Sequence, residues 1–374
     1  MTEREEKAAS GGGGVMVQAV NHATGANEWK LMPPDYDYQQ ELARAAFADM
    51  LHDSERNRLY YEGLAAAVRL RREAGQPVHV LDIGTGTGLL SMMAASLGAD
   101  TVTACEEFRP MAECAARVIA DNGFGEKIKL VRKRSTELEV GPGRDLEQRA
   151  NILVTEVFDT ELIGEGAIST YNHAARELLT ADRVVVPGVA RVWAQVVTSA
   201  RCRAWAEPRP LHLDTDTTLV PAPSLGRSVL ITSKLHVLIN VIDSCSGHTS
   251  LALHDLQLSQ FPPGPDTWQP VTPPTLVFSL DLAATHAPIP ETARTVTRVV
   301  AGAECGEGGA ECDAVLMWWD CWTDPAHSVL LSCAPRHASH HAPDTELPWR
   351  DHWMQAIYYP KWVQQLIPLF SIYY

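Results

Sequence analysis

Residues 80–88 read Val-Leu-Asp-Ile-Gly-Thr-Gly-Thr-Gly, and this stretch decides the fold. It begins inside an apolar run, 78–83, that is typical of a buried strand, and residues 88–97 have the pattern of a helix closed by Gly98. Glycines between a strand and a helix let a ligand approach the backbone closely, and the helix N-terminus offers unpaired N–H groups. The stretch therefore predicts a ligand-binding turn at the end of a buried strand.

Strands and helices are predicted to alternate through the first half of the chain. A helix in one or two pieces is expected over 35–75, strands over 78–83, 101–105, 128–131 and 151–155, and helices over 88–97 and 110–121. Short strands separated by helices indicate a parallel, doubly wound sheet. After Pro187 the pattern becomes β-rich, with segments 189–197, 228–242, 275–282, 314–322 and 328–333, which predicts a mostly antiparallel second domain.

Composition and charge restrict the class of partner. The 374 residues are 45% apolar and carry a formal net charge of −15, which argues against a nucleic acid as the main ligand and suits a basic partner. No apolar run approaches the ~20 residues of a membrane span, and the charged, glycine-rich residues 1–14 are expected to be disordered rather than a signal peptide. No membrane contact is therefore expected.

Cysteine and histidine positions argue against a metal site. None of the eight cysteines forms a Cys-x-x-Cys pair, so we expect reduced thiols in a cytoplasmic or nuclear protein. The cluster of His337, His340 and His341 indicates a polar loop rather than a metal centre, because no cysteine pair lies nearby.

Two acidic residues flank the glycine turn. Asp82 comes just before it, and Glu106 ends the second strand, where a carboxylate can accept both hydroxyls of a ribose. A plain tight turn and a nicotinamide-dinucleotide site are the alternatives, although Gly-x-Gly-x-Gly is not the dinucleotide pattern. The motif resembles the S-adenosylmethionine site of class I methyltransferases, which implies cofactor contacts from Asp82, Gly84, Gly86, Gly88 and Glu106. Ser135, after the third strand, is expected near the adenine.

An acidic loop follows the fourth strand, where ligands of parallel sheets bind. Residues 155–166 read Thr-Glu-Val-Phe-Asp-Thr-Glu-Leu-Ile-Gly-Glu-Gly and hold the carboxylates of Glu156, Asp159, Glu161 and Glu165. A solvated loop is the alternative interpretation, but four carboxylates cannot all be buried unpaired. The nine-residue spacing of Glu156 and Glu165 resembles the double-glutamate loop of protein arginine methyltransferases.

Other stretches carry the same resemblance over about 17–359. Residues 50–56, Met-Leu-His-Asp-Ser-Glu-Arg, resemble the cofactor-capping helix of that family, and residues 349–355, Trp-Arg-Asp-His-Trp-Met-Gln, resemble its His-Trp loop. The family implies a Rossmann-like methyltransferase domain, here 15–187, and a β-barrel substrate domain, 188–359, with an inserted helical dimerisation arm near 200–225. Residues 360–374 match nothing in the family and are expected to form an atypical tail.

The resemblance also implies roles for individual residues. Met50 is expected to pack against the cofactor, and Arg56 to hold its methionine carboxylate. His352 and Asp53 are expected to form a pair that ties the capping helix to the site, either as a proton relay or as a structural hydrogen bond. Asp159 and Glu161 are expected to recognise flanking arginines of the substrate. Trp353 of the His-Trp loop is also expected to bind substrate.

The chemistry suits the double-glutamate loop. A guanidinium has a pKa of ~12.5–13.8 and is a poor nucleophile, while its planar fork of N–H donors matches carboxylates bidentately. Our hypothesis is that Glu156 and Glu165 clamp the substrate guanidinium in line with a sulfonium methyl group.

The expected activity is arginine monomethylation, type III, on arginine-rich proteins such as histones and RNA-binding proteins, by a cytoplasmic and nuclear homodimer. Two alternatives stay open, because the related branch usually carries two modules in tandem. They are a catalytically impaired, truncated form that acts as a binding or regulatory protein, and a methyltransferase of another substrate class.

Overall fold

A computed structural model describes residues 15–20, 27–32, 47–206, 211–212, 217–222, 227–232, 252–291, 294–297, 313–340, 350, 352–359 and 370–373. The chain divides into two compact units, Met1–His52 and Asp53–Tyr374. In the first unit, strands β1 (Val15–Val20) and β2 (Asn27–Met32) pair antiparallel, and helix α1 spans Phe47–His52. The predicted disordered residues 1–14 and residues 35–46 of the helix expected over 35–75 lie outside the described residues.

The second unit begins with alternating helices and strands. They are α2 (Ser54–Glu73), β3 (His79–Ile83), α3 (Leu89–Ser96), β4 (Thr101–Cys105), α4 (Arg109–Asp121), β5 (Ile128–Val131), β6 (Ala150–Thr155), α5 (Ala167–His173) and β7 (Leu179–Val186). The strands form a parallel sheet in the order β5-β4-β3-β6-β7. The predicted strands 101–105 and 128–131 coincide with β4 and β5, and the other two start within one residue of β3 and β6. Strand β7 and helix α5 were not predicted.

The strand order reverses direction at β3, and this reversal positions a crevice. From β3 the chain moves outward through β4 and β5, and then it crosses to the other side of β3 to form β6 and β7. In open parallel sheets, ligands bind outside the carboxyl ends of the strands where the order reverses. The glycine turn follows β3, Glu106 follows β4 and Glu156 follows β6. The three sequence signals therefore share one edge of the sheet.

The chain then becomes mostly antiparallel. After β8 (Val189–Thr198) and the short helix α6 (Ala200–Ala206) come β9 (Leu211–His212), β10 (Thr217–Ala222), β11 (Arg227–Thr232), β12 (Ala252–Leu256), β13 (Gln269–Pro270), β14 (Thr275–Asp281), β15 (Arg294–Thr297), β16 (Ala314–Trp322), β17 (Leu330–Ser332), β18 (Gln355–Tyr359) and β19 (Phe370–Tyr373). Seven strands share a sheet with the path β12-β18-β16-β8-β13, in which β14 also pairs with β8 and β17 with β16. The predicted α/β fold class is confirmed.

The described residues of the predicted arm region form both helix and strand. Within 200–225 the described helix is α6, and the strands β9, β10 and β11 pair as a small antiparallel sheet that extends to residue 232. Residues 217–222 read Thr-Thr-Leu-Val-Pro-Ala, and a proline together with β-branched residues disfavours a helix there. The limits proposed above for the domains stay predictions, and residues 233–242 of the expected strand 228–242 lie outside the described residues.

Two apolar clusters use opposite faces of β16. Trp319 belongs to the large core that also holds residues of the parallel sheet, whereas Trp318 packs with Trp268 in a second cluster. Successive side chains of a strand point to opposite faces, so adjacent tryptophans serve different cores. Among the helices of the described ranges, none is both long and apolar enough to cross a bilayer.

Helix α2 packs directly against the turn after β16. The Thr323 hydroxyl donates to the carbonyl oxygen of Leu59 at 2.9 Å, and a Cβ added at Gly63 would lie 2.4 Å from the Thr323 carbonyl oxygen. No ordinary carbon–oxygen contact is that short, so this crossing requires glycine.

We expect Gly63→Ala to lower the free energy of unfolding by about 1–3 kcal/mol through overpacking, even though alanine is the better helix former. Urea titration followed by circular dichroism measures the change. Arg69→Ala, at an exposed position of the same helix, is the control. An unchanged or increased stability of Gly63→Ala would contradict the close crossing.

Candidate functional site

The glycine turn is built from left-handed backbone. Gly84, Gly86 and Gly88 have φ values of 68°, 56° and 87°, which side chains disfavour. A Cβ at Gly88 would also lie 2.8 Å from Ile119 Cγ1 on helix α4. The backbone N–H of Gly84 donates to the carbonyl oxygen of Cys105 and so fastens the turn to β4. The three predicted glycines thus form one continuous backbone surface at the sheet edge.

Asp82 lies beneath this turn. Its side chain is fully buried, and Oδ2 accepts hydrogen bonds from the hydroxyls of Thr85 at 2.6 Å and Ser91 at 2.7 Å. Burial raises the pKa of Asp82 to about 6, although these two hydrogen bonds oppose the shift. The Oδ1 atom has no hydrogen-bond partner among the described residues. Asp82 therefore holds the turn and the start of α3 in place from below.

Glu106 lies across the rim of the turn. Its Oε2 accepts from the Gly86 N–H at 3.0 Å and its Oε1 from the Phe108 N–H at 2.9 Å, which fixes both oxygens. Burial raises the pKa of this half-buried carboxyl. Each oxygen keeps a lone pair, so a carboxylate in this position can still accept from a pair of hydroxyls.

Two further predicted cofactor residues are placed less directly. Ser135 is buried and starts a short 3₁₀ turn after β5. Met50 lies on helix α1 in the first compact unit, and its expected contact with the cofactor stays a prediction.

The acidic loop has a shape that depends on Gly164. The Gly164 N–H donates to Asp159 Oδ1 at 3.0 Å, and a Cβ at this position would lie 1.8 Å from Asp159 Oδ2. Leu162 adopts a left-handed φ of 76°, is fully buried and donates its N–H to the Asp159 carbonyl. The loop therefore closes around the Asp159 carboxylate.

Two tryptophans of the antiparallel part hold this loop. The Trp319 indole N–H donates to the carbonyl oxygen of Asp159 at 2.9 Å, and the Trp353 indole N–H donates to that of Phe158 at 3.0 Å. Their rings meet edge to face with centroids 4.8 Å apart, and each is 1% exposed. Trp353 is buried and bonded to the loop, and its predicted role in substrate binding stays a prediction.

Arg56 pairs directly with Glu156. Its Nη2 atom lies 2.7 Å from Glu156 Oε2, and both side chains are 7% exposed. The guanidinium carbon is 5.3 Å from the Tyr60 ring centroid and 5.6 Å from that of Trp353. The sequence predicted a role for each of these two charged residues but not their pairing.

The other loop carboxyls sit in a field of like charge. The pKa of Glu165 is raised to about 7 by partial desolvation and by the nearby Glu156 and Asp159. The pKa of Glu161 is also raised to about 7, by desolvation and by Asp159 and Asp255. Glu161 and Glu165 therefore take up protons near neutral pH, in a region suited to a cation.

Asp255 and Tyr358 were missed by sequence reasoning. Asp255 lies on β12, and desolvation together with Glu161, Asp159 and Asp255 raises the pKa of Tyr358 on β18. β12 and β18 pair antiparallel, which brings these two residues to the acidic loop. No local pattern could have found them, because strand pairing alone creates the neighbourhood.

The predicted His352–Asp53 pair includes a third residue. His352 Nε2 lies 3.6 Å from Asp53 Oδ2, which is too long for a hydrogen bond. The same oxygen accepts from Arg350 Nε at 2.5 Å. Arg350 stands inside the quoted His-Trp motif, so its position was the available signal. Within the described ranges, no group of three or more His, Cys, Asp or Glu is placed to hold a metal ion.

Comparisons with known proteins agree with this geometry. Residues 231–367 match the arginine methyltransferase oligomerization subdomain, and residues 66–199 match the ribosomal protein L11 methyltransferase family. Two solved structures share the fold: the Trypanosoma brucei PRMT1 enzyme-prozyme heterotetrameric complex with AdoHcy (TM-score 0.57, 19% identity, 90% of this chain and 85% of that chain) and Arabidopsis thaliana protein arginine methyltransferase 10 (TM-score 0.55, 20% identity, 85% and 84%).

Curated relatives are much closer in sequence. Protein arginine N-methyltransferase 7 of Drosophila pseudoobscura pseudoobscura is 45% identical over 356 residues, and that of Drosophila melanogaster is 44% identical over 361 residues. These alignments cover 91% and 93% of this chain but 48% of each relative, so the chain spans about half the length of the curated relatives it matches. The sequence identity and the subdomain match together show that the chain belongs to the protein arginine N-methyltransferase family.

Proposed function

We propose that this chain transfers a methyl group from S-adenosylmethionine to a guanidinium nitrogen of protein arginine. The observation that carries the proposal is the placement of the double-glutamate loop after β6, beside the glycine turn after β3, where the strand order reverses. The names of the relatives and the AdoHcy in the Trypanosoma brucei complex support this assignment.

The residues around the turn fit the cofactor. Glu106 would accept the ribose hydroxyls, and the left-handed glycines would let the nucleoside lie against the backbone. Arg56 would hold the methionine carboxylate, with Met50 and Ser135 completing the pocket. When bound, S-adenosylmethionine would supply a methyl group on a sulfonium sulfur, and neutral S-adenosylhomocysteine would be the leaving group.

The loop carboxylates would bind and orient the substrate. Glu156 Oε2 is already engaged by one guanidinium, that of Arg56, which demonstrates a geometry suited to this group. Glu156 Oε1 and the Glu165 carboxylate would accept from the substrate and leave one terminal nitrogen directed at the methyl group. They would also stabilise the cation while that nitrogen loses a proton. Asp53 and His352 would act as a pair that ties the capping helix to the site. Arg350 would hold the Asp53 carboxylate in place.

We further propose monomethylation, the type III outcome, on arginine-rich substrates such as histones and RNA-binding proteins. Asp159 and Glu161 would recognise flanking arginines, and the net charge of −15 favours basic partners. The match to an oligomerization subdomain supports a homodimer. The described cysteines are all free thiols, which supports a cytoplasmic and nuclear location.

A second candidate is a non-catalytic form that binds cofactor or arginine-rich proteins without turnover. The Arg56–Glu156 pair favours it, because a substrate guanidinium must share Glu156 with an internal one. Product analysis separates the two candidates.

We expect Glu156→Gln and Glu165→Gln each to reduce monomethylarginine formation at least ~100-fold, because each removes charge stabilisation from the transition state. Mass spectrometry of an arginine-rich histone-like peptide incubated with S-adenosylmethionine measures the product, and calorimetry with S-adenosylhomocysteine checks that cofactor binding survives.

Glu113→Gln, at an exposed ion pair on α4, is the matched control and is expected to keep wild-type turnover. Full activity in both loop variants would contradict the clamp. Dimethylarginine would keep the family and overturn the type III assignment. A wild-type chain that binds cofactor but makes no product would favour the non-catalytic candidate.

We expect the affinity for an arginine-rich peptide to rise with pH between 6 and 8. Glu161 and Glu165 have pKa values of about 7, so they are largely neutral at pH 6 and largely ionised at pH 8, while the guanidinium stays protonated. Each carboxyl could contribute up to about 10-fold in affinity across this range.

Calorimetry at pH 6, 7 and 8 with bound S-adenosylhomocysteine measures this dependence, and Glu161→Gln should remove part of it. A peptide affinity that is constant over this range would show that these carboxyls do not titrate on binding.

A further inference from the structure

Arg350 occupies the most constrained charged position near the site. It is 5% exposed, and its guanidinium donates to three separate acceptors: Asp53 Oδ2 at 2.5 Å, Glu55 Oε2 at 2.8 Å and the carbonyl oxygen of Ser332 at 2.8 Å. Its own carbonyl oxygen accepts from Gln257 Nε2 at 2.5 Å. The antiparallel part of the protein therefore fixes the main chain of Arg350, and the side chain bridges that part to the start of α2.

Asp53 connects Arg350 to the helix that carries Arg56. Its side chain is fully buried, and it caps the N-terminus of α2 by accepting the Arg56 N–H at Oδ1, 2.9 Å away. A buried carboxylate is stable in its ionised form only with a partner, and Arg350 supplies that partner. One carboxylate therefore links the backbone of Arg56 to the guanidinium of Arg350.

Arg56 has two ways to satisfy its charge. Its guanidinium points to Glu156, but Asp53 and Glu55 lie one to three residues before it on the same chain. Both carboxylates would attract the Arg56 guanidinium if another cation did not already contact them. The Arg350 guanidinium contacts both and so removes this competition.

We propose that Arg350 is a positioning residue that keeps the Arg56 guanidinium directed at Glu156 by engaging the carboxylates of Asp53 and Glu55 itself. Arginine suits this position better than lysine. Its rigid planar fork of N–H donors reaches three separate acceptors at once, whereas an ammonium is a compact point charge. The consequence for methyl transfer rests on the proposed function, since Arg56 is assigned there to the cofactor carboxylate.

The test compares Arg350→Met and Arg350→Lys with Arg191→Met. Arg191 on β8 donates two hydrogen bonds, of 2.6 and 2.9 Å, to Asp320 on the adjacent strand β16. None of its described contacts involves α2. Thermal melting, calorimetric affinity for S-adenosylhomocysteine and turnover on the arginine-rich peptide are measured for each variant. We expect Arg350→Met to weaken cofactor binding at least ~10-fold and to lower kcat, with Arg350→Lys intermediate and Arg191→Met within ~2-fold of wild type.

A rescue variant separates charge balance from simple destabilisation. Adding Glu55→Gln to Arg350→Met removes one of the two competing carboxylates and should restore part of the cofactor affinity. A folded Arg350→Met with wild-type affinity, or a folded double variant with no recovery, would overturn the proposal. If Arg350→Met does not fold, Arg350→Lys and the double variant give the same decision.

A readout without any ligand keeps this test apart from the proposed function. A double-mutant cycle of Arg56→Met and Glu156→Gln gives the coupling free energy of these two side chains from the free energies of unfolding. This coupling should be large in the wild-type background and should shrink in the Arg350→Met background. An unchanged coupling overturns the positioning role even if the chain proves inactive. A reduced coupling supports it whether or not product is formed.

Discussion

Two indole hydrogen bonds hold the acidic loop, and the arrangement of the site depends on them. Trp319 and Trp353 donate to successive carbonyl oxygens, those of Asp159 and Phe158, from a part of the chain far away in sequence. Both rings are buried against each other, so the loop has little freedom to shift. A loop with four carboxylates would otherwise spread to reduce repulsion. The aromatic contact therefore keeps like charges close together where a cation can use them.

Charge balance around α2 complements this constraint. Glu156 is paired with Arg56, and the Asp53 cap of the same helix is paired with Arg350. Buried charges are tolerated where each has a close partner of opposite sign. In contrast, the pKa values of Glu161 and Glu165 are raised to about 7 by partial desolvation and by neighbouring carboxylates. The site thus combines a glutamate that is paired with an internal arginine and two glutamates whose charge depends on pH and on a bound cation.

Much of the parallel sheet could be predicted because its signals are local. Strand 101–105 is a short run rich in β-branched residues between two predicted helices, strand 128–131 follows the second of these helices, and the glycine turn is a distinctive motif. Strand β7 was missed because polar and charged residues interrupt its middle, Thr-Ala-Asp-Arg, and only the three valines before Pro187 form an apolar run. Helix α6 lies in the region where the resemblance implied a helical arm, although its seven residues are too few to establish a helical period on their own.

The sequence by itself determined the cofactor turn, the double-glutamate spacing and the charged residues of 50–56 and 349–355, because each is a short motif whose chemistry is carried by neighbouring residues. Tertiary structure alone decided which of these groups meet. It paired Arg56 with Glu156, inserted Arg350 between Asp53 and Glu55, and buried Trp353 under the loop. It also brought Asp255 and Tyr358 to the acidic cluster through the pairing of β12 with β18. Such neighbourhoods arise from strand register and long-range packing, which no local pattern of residues encodes.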